Sequence, residues 1–384
     1  MFLESGFTSL NKTGEELCGD RVETVIGGDT VTVVLADGLG SGVKANILAT
    51  LTSKILCTMV ASDIGIDECV DTVLQTLPVC RERGVAYSTF SVIHIDKRGE
   101  GRLFEFDNPQ AVYYGGGKCG GLPRAEHTCS GRSVYVSDLR LKENDIILLM
   151  SDGAVHAGIG KLLNFGWRRD EIMTYLDRRI KPGMSARGAA CLLAAACNEL
   201  YVGKPGDDTT VAAVRVRAEL PVSVMVGPPV DKSRDDFYVG RFLAGGGKKV
   251  VCGGTSSQIV ARHLRADILA DFEYPDREVP PIGHIKGIDL ATEGVLTLRK
   301  LIELSRPYLS ESDLAPKTFA KKDGASLLAD MLFEKATKAT FFVGQSINTA
   351  HQDLSIGTTM KLKLVEDLAA NLKKMGKEVE LFYD

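Results

Sequence analysis

The sequence predicts an α+β N-terminal domain, a β-sandwich flanked by helices, followed by a smaller α/β domain with a mainly parallel sheet. Three observations predict this pair. Over residues 20–217 β-type apolar runs outnumber helical patterns, and short turns join them, as in antiparallel sheets with helices packed outside. Past residue 219 strand and helix patterns alternate singly, as in a parallel sheet. With 384 residues, 44% of them apolar, the chain can bury two cores. The pattern changes at Ala218-Glu219-Leu220-Pro221, which sets the domains at 1–219 and 220–384.

In the first domain Thr30–Ala36 is a β-branched run ending at Asp37. Ser88–Ile95, Arg102–Phe106, Ala111–Tyr114, Ser133–Val136, Ile146–Met150 and Thr210–Val216 also read as strands. Asn108-Pro109 and Gly115–Gly121 supply turns between them; Gly115, Gly117 and Gly120 satisfy Gly-x-Gly-x-x-Gly, but Leu122-Pro123 follows and no helix opens, so a hairpin turn is expected. Val43, Ile47, Leu51, Ile55 and Met59 form one apolar stripe over a helix Val43–Val60. Asp67 is placed to cap a second helix, to about Leu77, with Asp170–Arg179 and Ala186–Leu200 as the third and fourth. In the second domain Val222–Val226, Lys249–Cys252 and Glu378–Phe382 read as strands and Asp236–Leu243 and Thr255–Leu264 as helices, with Gly294–Leu304, Gly324–Thr337, Ala339–Gly344 and Lys361–Lys374 as the further elements of a strand–helix alternation.

Composition narrows the function classes. The formal net charge is −4 and no long basic block is present, which argues against a nucleic-acid partner. The start Met1-Phe2-Leu3-Glu4-Ser5 lacks a signal-peptide pattern, and apolar stretches such as Ile146–Met150 are too short to span a bilayer, so no membrane partner and a cytoplasmic location are expected. The nine cysteines include no Cys-x-x-Cys, and the six histidines do not cluster with them, so free thiols rather than a zinc site are expected.

The chemistry concentrates in four short aspartate signatures. They are Cys18-Gly19-Asp20, Ala36-Asp37-Gly38-Leu39-Gly40-Ser41-Gly42, Met150-Ser151-Asp152-Gly153 and Gly206-Asp207-Asp208-Thr209-Thr210. Taken singly, Asp37, Asp152 and Asp207 read as turn or cap residues. Together they are carboxylates beside strands. Such groups are costly to bury unless paired or coordinating metal, and several in one site repel one another until a cation neutralises them. Oxygen donors suit hard divalent cations. Two cations bridged by one aspartate would polarise a phosphoryl group and activate water for in-line attack.

These four signatures, in order and spacing, resemble the metal-dependent PP2C-type protein phosphatases, in particular the bacterial SpoIIE, RsbU and RsbX branch. The resemblance covers residues from about 5 to 217 and implies a β-sandwich between helical layers, an α/β/β/α arrangement. It implies two Mn²⁺ or Mg²⁺ ions, and a phosphoserine or phosphothreonine on a regulatory protein as substrate. By the same resemblance Asp37 bridges both ions, Asp152 and Asp207 complete one site, and Asp20 with the Gly38 carbonyl serves the other; Asp37 and Asp152 are the catalytic pair and Asp208 holds water beside them. It further implies that the helices Val43–Val60 and Asp67–Leu77 act as a switch. The chain departs from eukaryotic members, which carry a histidine after Asp-Gly where this chain has Leu39, and an upstream phosphate-binding arginine with no clear equivalent near Asp20. His156 is a candidate proton donor.

In the second domain Lys249–Cys252 leads into Gly253-Gly254-Thr255-Ser256-Ser257 and a helix, a pattern that serves either as a plain cap or as an anion site. Asp289–Gly294 is polar and precedes another helix, so it could line the same crevice. Ligand sensing, substrate-protein binding and homodimer formation are the roles open to this domain. A phosphoprotein-binding scaffold without catalysis, and a sensor of a phosphorylated metabolite, are the alternatives to an enzyme.

Overall fold

The structure is a computed structural model that describes residues 1–76, 88–271, 278–310, 322–346 and 355–384, with the backbone alone for 355–359. Contacts divide it between Ala218 and Glu219 into two units.

The first unit contains β1 (Phe2–Leu10), β2 (Asp20–Ile26), β3 (Thr30–Gly38), α1 (Gly42–Ala61), α2 (Ile66–Thr76), β4 (Ser88–Asp96), β5 (Glu100–Phe106), β6 (Val112–Gly115), β7 (Lys118–Gly120), β8 (Ala125–Cys129), β9 (Arg132–Arg140), β10 (Ile146–Met150), α3 (Asp152–Val155), α4 (Arg169–Arg179), α5 (Ala186–Leu200) and β11 (Thr209–Arg217). One sheet has the order β1-β11-β10-β6-β7 and the other β2-β3-β4-β5-β9-β8. All their ladders are antiparallel.

Strand periodicity makes four layers out of these two sheets. Val31, Val33 and Leu35 of β3 point at Ile147 and Leu149 of β10 and Val214 of β11, forming the core between the sheets. The alternate residues Val34 and Ala36 pack under α1 and α2 with Leu48, Leu56 and Val70. On the far side Ile146, Leu148 and Met150 meet Ile172, Leu176 and Leu193 of α4 and α5. Strands buried on both faces explain why β3 and β10 read as continuous apolar runs.

Four strands of this unit, β1, β2, β7 and β8, were not read from the sequence pattern, and the first two show why. β1 is interrupted by Glu4, Ser5 and Gly6, and β2 alternates Arg21 and Glu23 with Val22. Pairing with β11 and β3 makes them strands. Gly115–Gly120 does form the expected hairpin, with Gly116 and Gly117 both at positive φ.

The stripe on α1 needs correction. Val43, Ile47 and Leu51 are 61%, 53% and 45% exposed. The buried face is Ala45, Leu48, Ala49, Thr52, Ser53, Leu56, Cys57 and Val60. Small residues win because the helix lies hard against the end of β3: a Cβ on Gly38 would overlap the Ala45 carbonyl oxygen. Among the described residues α1 alone is long and apolar enough to cross a bilayer, and its buried face packs on the sheet. The second helix begins at Ile66 and is described to Thr76; Leu77 lies outside the described residues. Asp67 therefore sits inside its first turn, where it accepts from His127 Nε2 at 3.0 Å and from the Cys129 thiol at 2.9 Å. Histidine and cysteine are thus brought together after all, by the β8 strand rather than by adjacent spacing with an acid. The eight described cysteines are free thiols.

The second unit contains β12 (Pro221–Val226), α6 (Asp235–Ala244), β13 (Lys248–Cys252), α7 (Gly254–Leu264), β14 (Ile268–Ala270), β15 (Gly283–Ile285), β16 (Leu290–Thr292), α8 (Val295–Leu309), α9 (Gly324–Ala329), which continues as a π-helical turn Asp330–Lys335, β17 (Lys338–Val343), α10 (Ser355–Lys374) and β18 (Glu378–Tyr383). Its sheet runs β14-β15-β16-β13-β12-β17-β18. The five strands from β16 to β18 are parallel, and β14 and β15 add an antiparallel edge. Val222, Val224 and Val226 face Leu298, Leu328 and Leu368, while Met225 faces Tyr238, Phe242 and Val260. Helices therefore cover both faces. Counting only the parallel strands, the spatial order is third, second, first, fourth, fifth, the doubly wound arrangement.

Candidate active site

Five aspartates meet at one end of the first unit. Asp20 opens β2 and Asp37 lies near the close of β3, where the antiparallel register sets them directly opposite each other. Asp152 is the first residue of α3, two residues beyond β10. Asp207 and Asp208 precede β11. Because β10 and β11 are neighbours, the turn after one and the turn before the other lie side by side.

Glycines make this convergence possible. A Cβ on Gly153 would overlap the Asp208 carbonyl oxygen and the Thr209 hydroxyl. The Gly38 amide donates to the Gly19 carbonyl at 3.1 Å, tying the end of β3 to the turn before Asp20. Gly40 and Gly42 hold positive φ in the turn into α1. Asn46 Nδ2 of α1 then donates to the Cys18 carbonyl at 2.8 Å, so the helix is pinned to the same turn.

A hydroxyl relay fixes the buried members. Ser151 Oγ donates to Asp20 Oδ2 at 2.7 Å and accepts from the Thr210 amide at 2.9 Å. Thr210 Oγ1 is 2.8 Å from Ser9 Oγ. The Lys12 amide donates to Asp208 Oδ1 at 2.9 Å, and Lys12 Nζ is 3.7 Å from Asp207 Oδ1. His156 Nδ1 is 3.7 Å from Asp152 Oδ2, and ligand atoms of Asp152, His156 and Asp207 lie within 4.8 Å of one another.

Sequence reading placed the five aspartates and His156 here but not Ser151, Ser9 or Lys12. Ser151 stands inside a quoted signature and was legible as a partner. Ser9 and Lys12 carry no local signal; they arrive because β1 pairs with β11.

The electrostatics are those of a site short of positive charge. Burial raises the Asp37 carboxyl well above the ordinary range, and Asp20, Asp152 and Asp207 raise it further. Burial also raises Asp20, against the Ser151 hydrogen bond that favours its charged form. Asp152 is raised by burial and Asp207, with His156 opposing, and Asp208 by burial, with the Lys12 amide opposing. Asp37 and Asp152 also share a hydrogen-bonding interaction, which couples the two carboxyls. Two buried carboxylate oxygens, Asp20 Oδ1 and Asp208 Oδ2, have no hydrogen-bond partner among the described residues. An all-oxygen donor set with orphaned buried oxygens fits a hard divalent cation.

These shifts fix a pH response. Carboxyls raised in the native state hold protons that the unfolded chain sheds above about pH 4, so they lower stability as pH rises through the raised values. In EDTA the melting temperature is expected to fall between about pH 5 and pH 8, and Mn²⁺ to reverse the fall by binding the deprotonated ligands. Calorimetry at both pH values checks this; a melting temperature that rises with pH in EDTA contradicts it.

A family model described as stage II sporulation protein E (SpoIIE) matches residues 27–217. The first unit is a PP2C-type phosphatase domain of the SpoIIE family. Similar solved structures include the PP2C domain and regulatory-domain fragment of SpoIIE from Bacillus subtilis, at 22% identity and TM-score 0.49, covering 56% of this chain and 63% of that one. The RsbU and RsbW domains of a Mycobacterium tuberculosis protein match at 18% identity and TM-score 0.48, covering 63% and 68%. The catalytic domain of the phosphatase PstP in complex with two manganese ions matches at 15% identity and TM-score 0.41, covering 56% and 99%. The chain thus spans less than two thirds of the SpoIIE structure. No curated protein sequence matches the chain.

Proposed function

We propose that this chain hydrolyses phosphoserine or phosphothreonine on a regulatory protein, using two Mn²⁺ or Mg²⁺ ions held by its SpoIIE-family aspartates. The observation that carries the reading is the convergence of Asp20, Asp37, Asp152, Asp207 and Asp208 with two buried carboxylate oxygens left unpartnered among the described residues. Asp37 would bridge the ions, with Asp152 and Asp207 on one side and Asp20 and the Gly38 carbonyl on the other. Bound ions would neutralise the phosphoryl charge and supply Lewis-acid polarisation.

The chain's own residues then have separate tasks. Ser151 and the Lys12 amide orient Asp20 and Asp208 before anything binds, so little reorganisation remains. Lys12 Nζ, half-exposed beside Asp207, attracts a phosphate dianion to the mouth of the site. His156, half-exposed beside Asp152, can carry a proton to the leaving serine oxygen. The exposed apolar residues Val43, Ile47 and Leu51 make α1 the surface through which a regulator would act on Gly38, since that helix is packed against it. The second unit would serve as a sensor or dimerisation domain.

The test is phosphate release by the full chain from phosphoserine, phosphothreonine and phosphotyrosine peptides, with Mn²⁺ and with EDTA. Mn²⁺-dependent release from the first two is expected. Binding of phosphopeptide in EDTA with no turnover under either metal would instead make the protein a scaffold.

A further inference from the structure

In the second unit three glycines stand at the edge where a doubly wound sheet binds ligands. Such sheets take ligands outside the carboxyl ends of the strands, at the point where the strand order reverses. Here that point lies between β12 and β17, and the strands on either side end in step. Val226 is in register with Cys252 and with Val343. The next residues along this edge are therefore Gly253, Gly227 and Gly344, three neighbouring strand ends without side chains.

Beside Gly253 is the start of α7, an 11-residue helix that no side chain caps. Gly253 itself has φ of 114°, a conformation that glycine alone adopts readily. Its Cα lies 3.5 Å from where a Cβ on Gly294 would stand, so the starts of α7 and α8 come together. The two differ in one respect. At the α8 start one amide already has a side-chain acceptor, since Glu293 Oε2 accepts from the Leu296 amide at 2.8 Å. At the α7 start no capping side chain among the described residues takes the amides, which suits them to an outside acceptor.

A second observation points to a ligand at α7. Ser256, in the first turn, is 1% exposed, and its Oγ has no hydrogen-bond partner among the described residues. It is aimed at the glycine edge, 3.6 Å from the position of a Cβ on Gly253. A buried hydroxyl without a partner is costly, and an oxyanion seated on the helix start would satisfy it together with the amides. A cation stands on the same edge: Lys361 of α10 donates to the Gly344 carbonyl, and its Nζ lies 2.5 Å from the position of a Cβ on Gly227. Only one of its three N–H groups is used in that bond.

We propose that this edge binds the phosphoryl group of a small phosphorylated ligand, with the Gly254–Ser256 amides and Ser256 Oγ as donors and Lys361 as counter-charge. The glycine row gives the ligand room to approach the backbone, as phosphate-binding turns require. The site is independent of the aspartates in the first unit.

The test is isothermal titration of the full chain in EDTA, which removes metal-dependent phosphate binding, with inorganic phosphate, ribose 5-phosphate and ADP. One saturable site per chain is expected for at least one of the three, and the tightest of them names the source of the phosphoryl group. Ser256→Ala and Gly254→Pro are each expected to weaken it about tenfold or more. Proline is tolerated at the first helical position and removes one amide donor there, and a Cβ at 254 meets nothing within 4 Å. Asp37→Asn should leave the titration unchanged. Absence of saturable binding for all three probes, or binding that both variants retain, overturns the site.

Discussion

Asp37→Asn is expected to lower Mn²⁺-dependent phosphopeptide hydrolysis by about a thousandfold or more, while making the metal-free protein more stable. The loss follows from position. Asp37 sits opposite Asp20 across the ladder and within hydrogen-bond reach of Asp152, so it is the one carboxyl that faces both halves of the aspartate cluster. An amide keeps the shape but supplies no negative charge to hold two cations together. The gain follows from the same crowding. Burial, Asp20, Asp152 and Asp207 all disfavour charge on Asp37, so folding without metal keeps a proton there against bulk water. Asparagine removes that cost. The two effects separate the readings of the site. Melting in EDTA and in Mn²⁺ should show a higher melting temperature for the variant in EDTA and a smaller rise on adding metal. Activity that survives the substitution would remove Asp37 from the metal site.

How much of this was legible depends on where the signal lay in the chain. The strands β3 and β10 announced themselves because both faces are buried, and Asp37 and Asp152 stood next to them. The five aspartates could be grouped through the order and spacing in which their signatures resemble those of PP2C-type phosphatases. Which carboxylate faces which could not, because the pairing of Asp20 with Asp37 depends on β2, and β2 alternates charged and apolar residues. Lys12 and Ser9 reach the site through β1, whose partner β11 lies about 200 positions away in the sequence, and no local pattern encodes that pairing. The α1 stripe misled for a different reason. Apolar periodicity marks a face with large residues, whereas the fold needs a helix that can approach the Gly38 turn closely. Ala45 and Ala49 meet that requirement, and the larger Val43, Ile47 and Leu51 are left outside. In the second unit the strand–helix alternation was readable and the strand order was not, yet the order is what places Gly227, Gly253 and Gly344 on one edge.

Gly153→Ala is the steric counterpart of the charge experiment, and the addition of one methyl group should cost roughly a hundredfold in activity. Gly153 follows Asp152 in the first turn of α3, and the position where its Cβ would stand is taken by the Asp208 carbonyl oxygen and the Thr209 hydroxyl. Both are anchored. Thr209 begins β11, which is paired on both sides, and Asp208 is held through its side chain by the Lys12 amide. The yielding part is therefore the short helix α3, whose Gly153 carbonyl accepts from the Tyr201 hydroxyl at 2.7 Å. Moving it away from β11 breaks that bond and carries Asp152 away from Asp207. Overpacking of this kind costs about 1–3 kcal/mol, a fraction of a domain's stability, so the variant should fold with a lowered melting temperature. A shift of about 1 Å at a ligand is enough to cost roughly a hundredfold in rate. Positional loss has a signature that loss of charge lacks: all five carboxylates remain, so the Mn²⁺ concentration needed for half-maximal activity should rise and excess Mn²⁺ should recover part of the rate. Asp152→Asn should not recover. A Gly153→Ala protein with wild-type activity at low Mn²⁺ would mean that the contact between α3 and β11 does not set the distance from Asp152 to Asp207.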